Sequence, residues 1–154
     1  MSAPATYALN QFAPSYKQGL QPVDQDQTGY EDKAYDYIYN PPGGQLTANQ
    51  QLQDAVEIDT DADFYIAAWY LSRVNGIFQI QLTDAAGYQL SKGSVIASAV
   101  SFTASNPTVL SPAHPIPAGG KIQILIQDLS DANNPLQIVF KGWKRFRRPM
   151  RQAA

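Results

Sequence analysis

The sequence predicts an all-β protein, an antiparallel β-sandwich of jelly-roll-like or Greek-key order. From residue 34 onward, short runs of alternating apolar and polar residues recur, and glycine, proline and asparagine separate them about every ten residues. No apolar stripe has the three- and four-residue spacing of a helix. Seven to nine short strands in a chain of 154 residues suit one domain of two packed sheets.

The first predicted strand is rich in tyrosine. The run AYDYIY at residues 34–39 alternates so that Tyr35, Tyr37 and Tyr39 share one face, and the breakers NPPGG follow it. A polar, glutamine-rich linker is expected next. The run DFYIAAWYL at residues 63–71 is apolar on both faces, which predicts a strand that is covered on both sides.

A turn signal separates this strand from the next one. Asn75 and Gly76 are the pair typical of a type I′ turn, and the run GIFQIQL directs Phe78, Ile80 and Leu82 to one face. The pattern predicts that these two strands form a β-hairpin.

The second half of the chain continues the pattern of short strands and turns. Two or three strands are expected between residues 88 and 110, and a double-glycine turn at 119–120 precedes KIQILIQDL. The run PLQIVFKGWKRF is the last predicted strand. The alternation predicts that the core contains Phe64, Ile66, Trp69, Phe78, Ile80, Ile124, Ile126, Ile138 and Phe140.

Charge and composition divide the chain into three parts. Residues 1–33 are polar and aperiodic and predict an extended N-terminal arm, residues 34–146 form the sandwich, and residues 147–154 form a basic C-terminal tail. Residues 1–140 carry five basic and thirteen acidic groups, a net charge of −8, whereas the last fourteen residues carry +6. The body is expected to repel polyanions and the tail to attract them.

Composition also limits the chemistry of the protein. The chain contains no cysteine and one histidine, which excludes disulfides and thiolate metal sites and argues against zinc. No apolar run reaches the roughly 18 residues of a membrane span, and the first residues lack the pattern of a signal peptide. We expect no cofactor, no contact with a membrane, and synthesis in the cytoplasm without export.

An acidic triplet in VEIDTDADFY resembles the opening of a calcium loop, since Asp59, Asp61 and Asp63 alternate. The glycine and the closing glutamate of such a loop are replaced by Phe64 and Tyr70. We therefore expect no bound ion, and interpret the triplet as a polar lead-in that protects a strand from edge pairing.

The sequence offers little for an enzyme. His114 lies between two prolines in PAHPIP, a predicted loop, and no serine has the setting of an activated nucleophile. The acidic triplet has no partner that would separate the pKa values of its carboxyl groups. The sequence therefore predicts a protein without catalytic residues.

Aromatic and basic residues are the candidates for binding. One candidate is the aromatic cluster Tyr35, Tyr37, Tyr39, Tyr65, Trp69 and Tyr70. It could bind carbohydrate by stacking or form a protein interface, and we favour an interface because tyrosine is enriched there. The tail KGWKRFRRPMRQAA could dock on an acidic protein surface, hold nucleic acid or remain solvated. We favour docking between subunits and consider direct nucleic-acid binding the weaker hypothesis, because the body is acidic.

The segments IDTDADFYI, IPAGGKIQILIQDLS and LQIVFKGWKRF, with the arm rich in tyrosine and glutamine, resemble small β-sandwich virion proteins of tailed bacteriophages. The resemblance covers roughly residues 35–148. It implies a capsid decoration or cement protein on the virion surface, with the major capsid protein and copies of itself as partners. Such proteins commonly form trimers and send arms across neighbouring capsomers, and no catalytic residue is implied.

The alternative interpretation is a receptor- or glycan-binding head fibre, or an accessory protein of the neck or tail. Under the favoured interpretation, the expected residues of the capsid or subunit interface are Tyr7, Phe12, Tyr16, Tyr30, Tyr35, Tyr37, Tyr39, Lys144, Arg145, Arg147, Arg148 and Arg151.

Overall fold

The described part of the chain forms nine strands and one short 3-10 turn at Pro42–Gly44. The computed structural model of the chain describes residues 29–90, 94–98 and 103–148, and no α-helix occurs among them. None of these residues belongs to a helix that could cross a membrane. The strands are β1 (Tyr30–Tyr39), β2 (Gln45–Leu46), β3 (Gln51–Glu57), β4 (Asp63–Val74), β5 (Ile77–Asp84), β6 (Val95–Ser98), β7 (Thr108–Ile116), β8 (Lys121–Asp128) and β9 (Asn134–Arg147).

The strands form two antiparallel sheets that pack as a sandwich, as the sequence predicts. The first sheet has the order β1-β9-β4-β7, with β2 also pairing with β9, and the second has the order β3-β8-β5-β6. The chain therefore changes sheet at every connection except β1 to β2 and β5 to β6. Without the two-residue β2, this is the strand order of a jelly roll.

The hairpin predicted at Asn75 and Gly76 is wrong. β4 pairs with β7 and β9, whereas β5 pairs with β6 and β8, so these two residues carry the chain from one sheet to the other. Asn75 lacks the positive φ that a type I′ turn requires. Gly76 has φ +106°, and a Cβ atom there would lie 2.6 Å from the side chain of Asn134. The glycine is needed for this close approach between chain segments.

The predicted polar linker is also corrected. Residues 51–57 form β3, an edge strand of the second sheet that pairs with β8. Its glutamines face solvent, while Leu52 packs against the core and Val56 is buried in it. One face of an antiparallel sheet is commonly solvated. The glutamines of β3 lie on that face, so the segment looks like a polar linker although apolar residues alternate with them.

The core between the sheets agrees with the prediction. All nine predicted core residues are at most 1% exposed, which confirms the strand register inferred from the alternation. The double apolar run is β4, a central strand of the first sheet with β9 on one side and β7 on the other. Phe64, Ile66, Trp69 and Leu71 of β4 lie in the core, whereas Tyr65 and Tyr70 are only partly buried, so the expectation of a strand covered on both sides is met only in part.

A bulge between β4 and β9 directs the end of β9. The register shifts between Ile66 and Ala68, close to Gly142. A Cβ atom on Gly142 would collide with the carbonyl oxygen of Tyr65, so a larger residue could not occupy this position without backbone movement. The bulge thus brings the residues after Gly142 close to the start of β4.

Candidate interface at the ends of β1 and β9

The start of β1 and the end of β9 pair with each other. Tyr30 lies opposite Arg147 and Lys33 opposite Lys144, and the backbone N–H of Arg148 donates to the carbonyl of Gly29 at 2.9 Å. We call residues 30–34 and 143–147 the terminal ribbon. The sandwich therefore begins at residue 30 and not at 34, and includes residue 147, which the sequence analysis placed in the tail.

One surface of the terminal ribbon is built around Arg145. Its guanidinium donates two hydrogen bonds to Asp32, at 2.8 Å and 2.7 Å. The same group lies 4.5 Å from the ring centre of Tyr65 and 5.9 Å from that of Tyr30. Tyr65 in turn stacks on Trp143 with the ring planes 2° apart. This bidentate pair with aromatic neighbours fixes the geometry of the arginine.

The opposite surface of the ribbon is built around Lys144, whose side chain is only 4% exposed. Its ammonium donates to Asp59 at 2.6 Å and to Asp61 at 3.0 Å. It lies 4.2 Å from the ring centre of Tyr35 and 5.5 Å from that of Tyr37. The Tyr37 hydroxyl donates to the carboxylate of Asp59 and accepts the backbone N–H of the same residue, both at 3.0 Å.

The electrostatics of this cluster favour the charged forms of its ion pair. Burial acts to lower the pKa of Lys144, but its hydrogen bonds to Asp59 and Asp61 outweigh this effect and raise the pKa. The hydrogen bond from Lys144, and then that from Tyr37, lower the pKa of Asp59. Burial raises the pKa of the Tyr37 hydroxyl. The lysine therefore remains positive and the aspartate negative over a wide pH range.

The acidic triplet thus has a use that the sequence analysis did not identify. Asp59 and Asp61 lie in the connection between β3 and β4 and hold Lys144. Asp63 is the first residue of β4 and accepts the backbone N–H of Ala118 at 2.9 Å. The triplet is therefore not one face of a strand, and two of its members have a cationic partner.

Four predicted interface residues are used within the chain, and the prediction is corrected for them. Tyr37, Tyr39 and Lys144 are buried, and Tyr39 donates to Asp54 at 3.0 Å. Arg145 is held by Asp32. Because their polar groups are already paired within the chain, these side chains support the site and offer a partner little to contact.

The other predicted interface residues divide into two sets. Tyr35 and Arg147 are exposed, and Tyr30 and Arg148 are partly exposed. Tyr7, Phe12, Tyr16 and Arg151 lie outside the described residues.

Sequence reasoning missed the acidic partners of β9, although a signal for them exists. Asp32 and Asp36 are four residues apart on β1, as are Lys141 and Arg145 on β9, and the antiparallel register places each aspartate opposite a cation. Asp36 and Lys141 are 3.8 Å apart. Matched spacing of opposite charges on two runs is a signal of cross-strand pairing.

His114 is also placed differently from the prediction. All of the segment PAHPIP except its last residue, Pro117, belongs to β7, where His114 lies opposite Ile66 of β4. Its Nε2 atom is 2.9 Å from Asp84.

Comparison with known proteins adds two weak structural likenesses. No family model and no curated protein matches the chain. The arabinose-bound MgGH51 α-L-arabinofuranosidase is 12% identical with a TM-score of 0.27, over 84% of this chain and 25% of that chain. A chain of the infectious bursal disease virus Gt strain is 14% identical with a TM-score of 0.26, over 78% of this chain and 33% of that one.

The second match makes the chain a weak structural neighbour of a viral protein. The chain spans about a quarter and a third of the lengths of these two proteins. At this level of similarity neither match assigns a function.

Proposed function

We propose that the chain is a non-enzymatic structural component of a virus particle, a capsid decoration or cement protein that stabilises a phage head. Its partners are the major capsid protein and copies of itself in a homotrimer. It is made in the host cytoplasm and joins the capsid surface. The observation that carries the proposal is the terminal ribbon, which attaches two segments of interface-like composition to one place on the fold.

The position of the ribbon supports this proposal. Gly29 and Arg148 are hydrogen-bonded neighbours, so the segments 1–28 and 149–154 join the sandwich side by side. The first segment contains Tyr7, Phe12 and Tyr16, and the second contains Arg151. Tyrosine, phenylalanine and arginine are residues that protein interfaces favour. Two such segments joined at one place suit attachment to neighbouring subunits.

The surface of β1 supports contact through side chains. β1 is an edge strand of the first sheet, and Tyr35 and Ile38 on it are 41% and 55% exposed. Charged residues lie on the same strand, among them Glu31, Lys33 and Asp36. Charges on an edge strand oppose the addition of another strand. The exposed apolar side chains remain available to a partner surface.

The ion pairs of the site favour a binding role over a catalytic one. The carboxylates of Asp32, Asp59 and Asp61 are each bonded to a cation that also packs on an aromatic ring. A general base needs a carboxylate that can accept a proton from a substrate. These groups instead stabilise the pairing of β1, β9 and the β3–β4 connection.

Rebinding to stripped particles tests the proposal. Arg147 is exposed at the end of the terminal ribbon, and Arg147→Glu reverses its charge there. Lys121→Glu is the matched control, because Lys121 is a half-exposed cation of the second sheet. We expect Arg147→Glu to lower the number of copies bound per capsid and Lys121→Glu to leave it unchanged. Equal occupancy of wild type and both variants contradicts attachment through the ribbon.

A further inference from the structure

A second concave site lies at the other edge of the first sheet. A pocket of about 380 Å³ opens between the β5–β6 connection and β7. Its lining includes Tyr88, Leu90, Val109, Ser111, Pro112 and His114. Pockets for small ligands measure roughly 300–1,000 Å³, so this one can hold a small molecule.

A large bulge in β7 forms one wall of the pocket. His114 lies opposite Ile66 and Val109 opposite Ala68, so the residues 110–113 have no partner in β4. β7 is also an edge strand with no neighbour on its other side in the described part of the sheet. The pairing of β7 with β4 therefore does not use the backbone groups of residues 110–113, as is common where a bulge interrupts a ladder.

The opposite wall is held rigidly by Asp84. One carboxylate oxygen accepts the backbone N–H groups of Ala86 and Tyr88, at 2.9 Å and 2.8 Å, and the other lies 2.9 Å from Nε2 of His114. Burial acts to raise the pKa of Asp84, but these hydrogen bonds, led by that of His114, lower it. The imidazole is thus fixed by its Nε2 atom, which leaves Nδ1 as the second polar atom of the ring.

Tyr88 completes the site with an aromatic surface. Its ring stacks on His114 at 4.4 Å with the planes 8° apart, and the residue is 59% exposed. The stack covers one face of the tyrosine ring and fixes the orientation of the ring in the pocket lining, while much of the residue stays exposed. Such a fixed, exposed ring is suited to packing against apolar C–H groups.

The charges around the pocket select the class of ligand. No lysine or arginine is among the described residues that line it, so these residues offer phosphate or sulfate groups no counter-charge. Asp84, which holds His114, already has both carboxylate oxygens bonded. The remaining groups are a hydroxyl, an imidazole, backbone amides, two prolines and a ring face. We propose that this pocket binds a neutral saccharide, whose hydroxyls pair with the polar groups and whose C–H face packs on Tyr88.

This inference is independent of the attachment proposed above. The order of the first sheet places β1 at one edge and β7 at the other. A protein attached through the terminal ribbon would therefore present the pocket on its far edge. Failure of saccharide binding leaves the attachment proposal intact, and the reverse is also true.

Amide chemical shifts of the full chain test the proposal. The neutral probes are the methyl glycosides of glucose, galactose, mannose and N-acetylglucosamine. Sodium sulfate and sodium phosphate are the anionic probes. With at least one neutral glycoside, at concentrations on the order of 10 mM, we expect saturable shifts at the amides of Tyr88, Ser111, Ala113 and His114. Absence of such shifts with every glycoside, or shifts there only with the anions, overturns the proposal.

Variants of exposed residues distinguish the pocket from general stacking. Tyr88→Ala is expected to weaken binding about two- to tenfold, and Tyr88→Phe to retain it, because the phenyl ring keeps the stacking face. Ile96→Ala is the control, since Ile96 is a 65% exposed residue of the second sheet. Equal binding by Tyr88→Ala and Ile96→Ala would mean that Tyr88 does not form the site, and the amide spectrum of each variant shows whether it is folded.

Discussion

Lys144 shows how a single residue joins distant parts of the chain. It comes from the basic end of the sequence, yet its side chain is 4% exposed and contacts two carboxylates that are 55% and 52% exposed. A buried charge is tolerated only when it is paired, whereas a half-exposed carboxylate is solvated without a partner. Removal of the lysine and removal of the carboxylates should therefore change the free energy of unfolding by different amounts.

Removing the carboxylates should cost more than removing the lysine. Lys144→Met keeps the length of the buried side chain and should change the free energy of unfolding by less than about 1 kcal/mol. The double variant Asp59→Asn with Asp61→Asn leaves the buried ammonium without an anion and should lower that free energy further. Urea denaturation of both proteins measures the difference.

The same two asparagine substitutions in the Lys144→Met background provide the control. No buried charge remains there, so they should have little effect on the free energy of unfolding. An equal loss in both backgrounds would show that the ion pair is not what these aspartates provide.

Stability should depend on pH in a window set by this pair. The pKa of Asp59 is lowered on folding, so its contribution is full above the unfolded value of about 3.9 and is lost as pH falls through the folded pKa. The pKa of Lys144 is raised, so its contribution is full below about 10.4 and is lost as pH rises through the folded pKa. Acid therefore leaves the buried lysine of the wild type without its anion.

Calorimetry at pH 7 and pH 3 measures this dependence. Between the two pH values, the Tm of the wild type should fall further than the Tm of Lys144→Met, which has no buried charge to leave unpaired. An equal fall for the two proteins would contradict the assignment.

Individual strands were predictable from the sequence, but one of their connections was not. Alternation identified the faces of β5, β8 and β9 because apolar side chains at every second residue must meet a core. The local signal at Asn75 and Gly76 is the same whether the chain forms a hairpin there or crosses to the other sheet. In the structure Gly76 lies close to Asn134 of β9, the strand that pairs with β4, and this long-range contact has no local sequence signal.

The candidate site was predictable in composition but not in arrangement. The sequence indicated that tyrosines and basic residues would matter, and Tyr35 and Arg147 are exposed at the site. It could not indicate that Arg145 meets Asp32, or Lys144 meets Asp59, because these contacts require the long-range pairing of β1 with β9. Local periodicity contains no information about which strands pair.

A substitution at Gly76 tests the connection between the sheets. Gly76→Ala should lower the free energy of unfolding by about 2 kcal/mol or more, because a positive φ and contact with Asn134 both oppose a Cβ atom. Gly87→Ala is the matched control, since Gly87 has φ +84° and no atom within 4 Å of the added carbon. Thermal denaturation should show the larger loss for Gly76→Ala, and equal losses would contradict the close approach of Asn134.

At the scale of the whole molecule, the two sheets differ in their outer surfaces. The first sheet carries the charged residues of the terminal ribbon and the exposed Tyr35 at one edge, and the pocket at the other. The second sheet has a largely uncharged outer surface, on which glutamine recurs at positions 51, 53, 79, 81, 123 and 127. This asymmetry favours attachment through the first sheet, where exposed tyrosine and arginine can anchor a contact.

Hydrogen exchange of the full chain, free and bound to capsids, tests the central claim most directly. Contact with a partner slows exchange where it covers the backbone or suppresses local opening. We predict slower exchange in the bound state for β1 and for the end of β9. The exchange rates of β7 and of the edge strands of the second sheet should not change. Unchanged exchange in β1 and β9, or slowing confined to β7, would contradict a shell protein attached through its terminal ribbon.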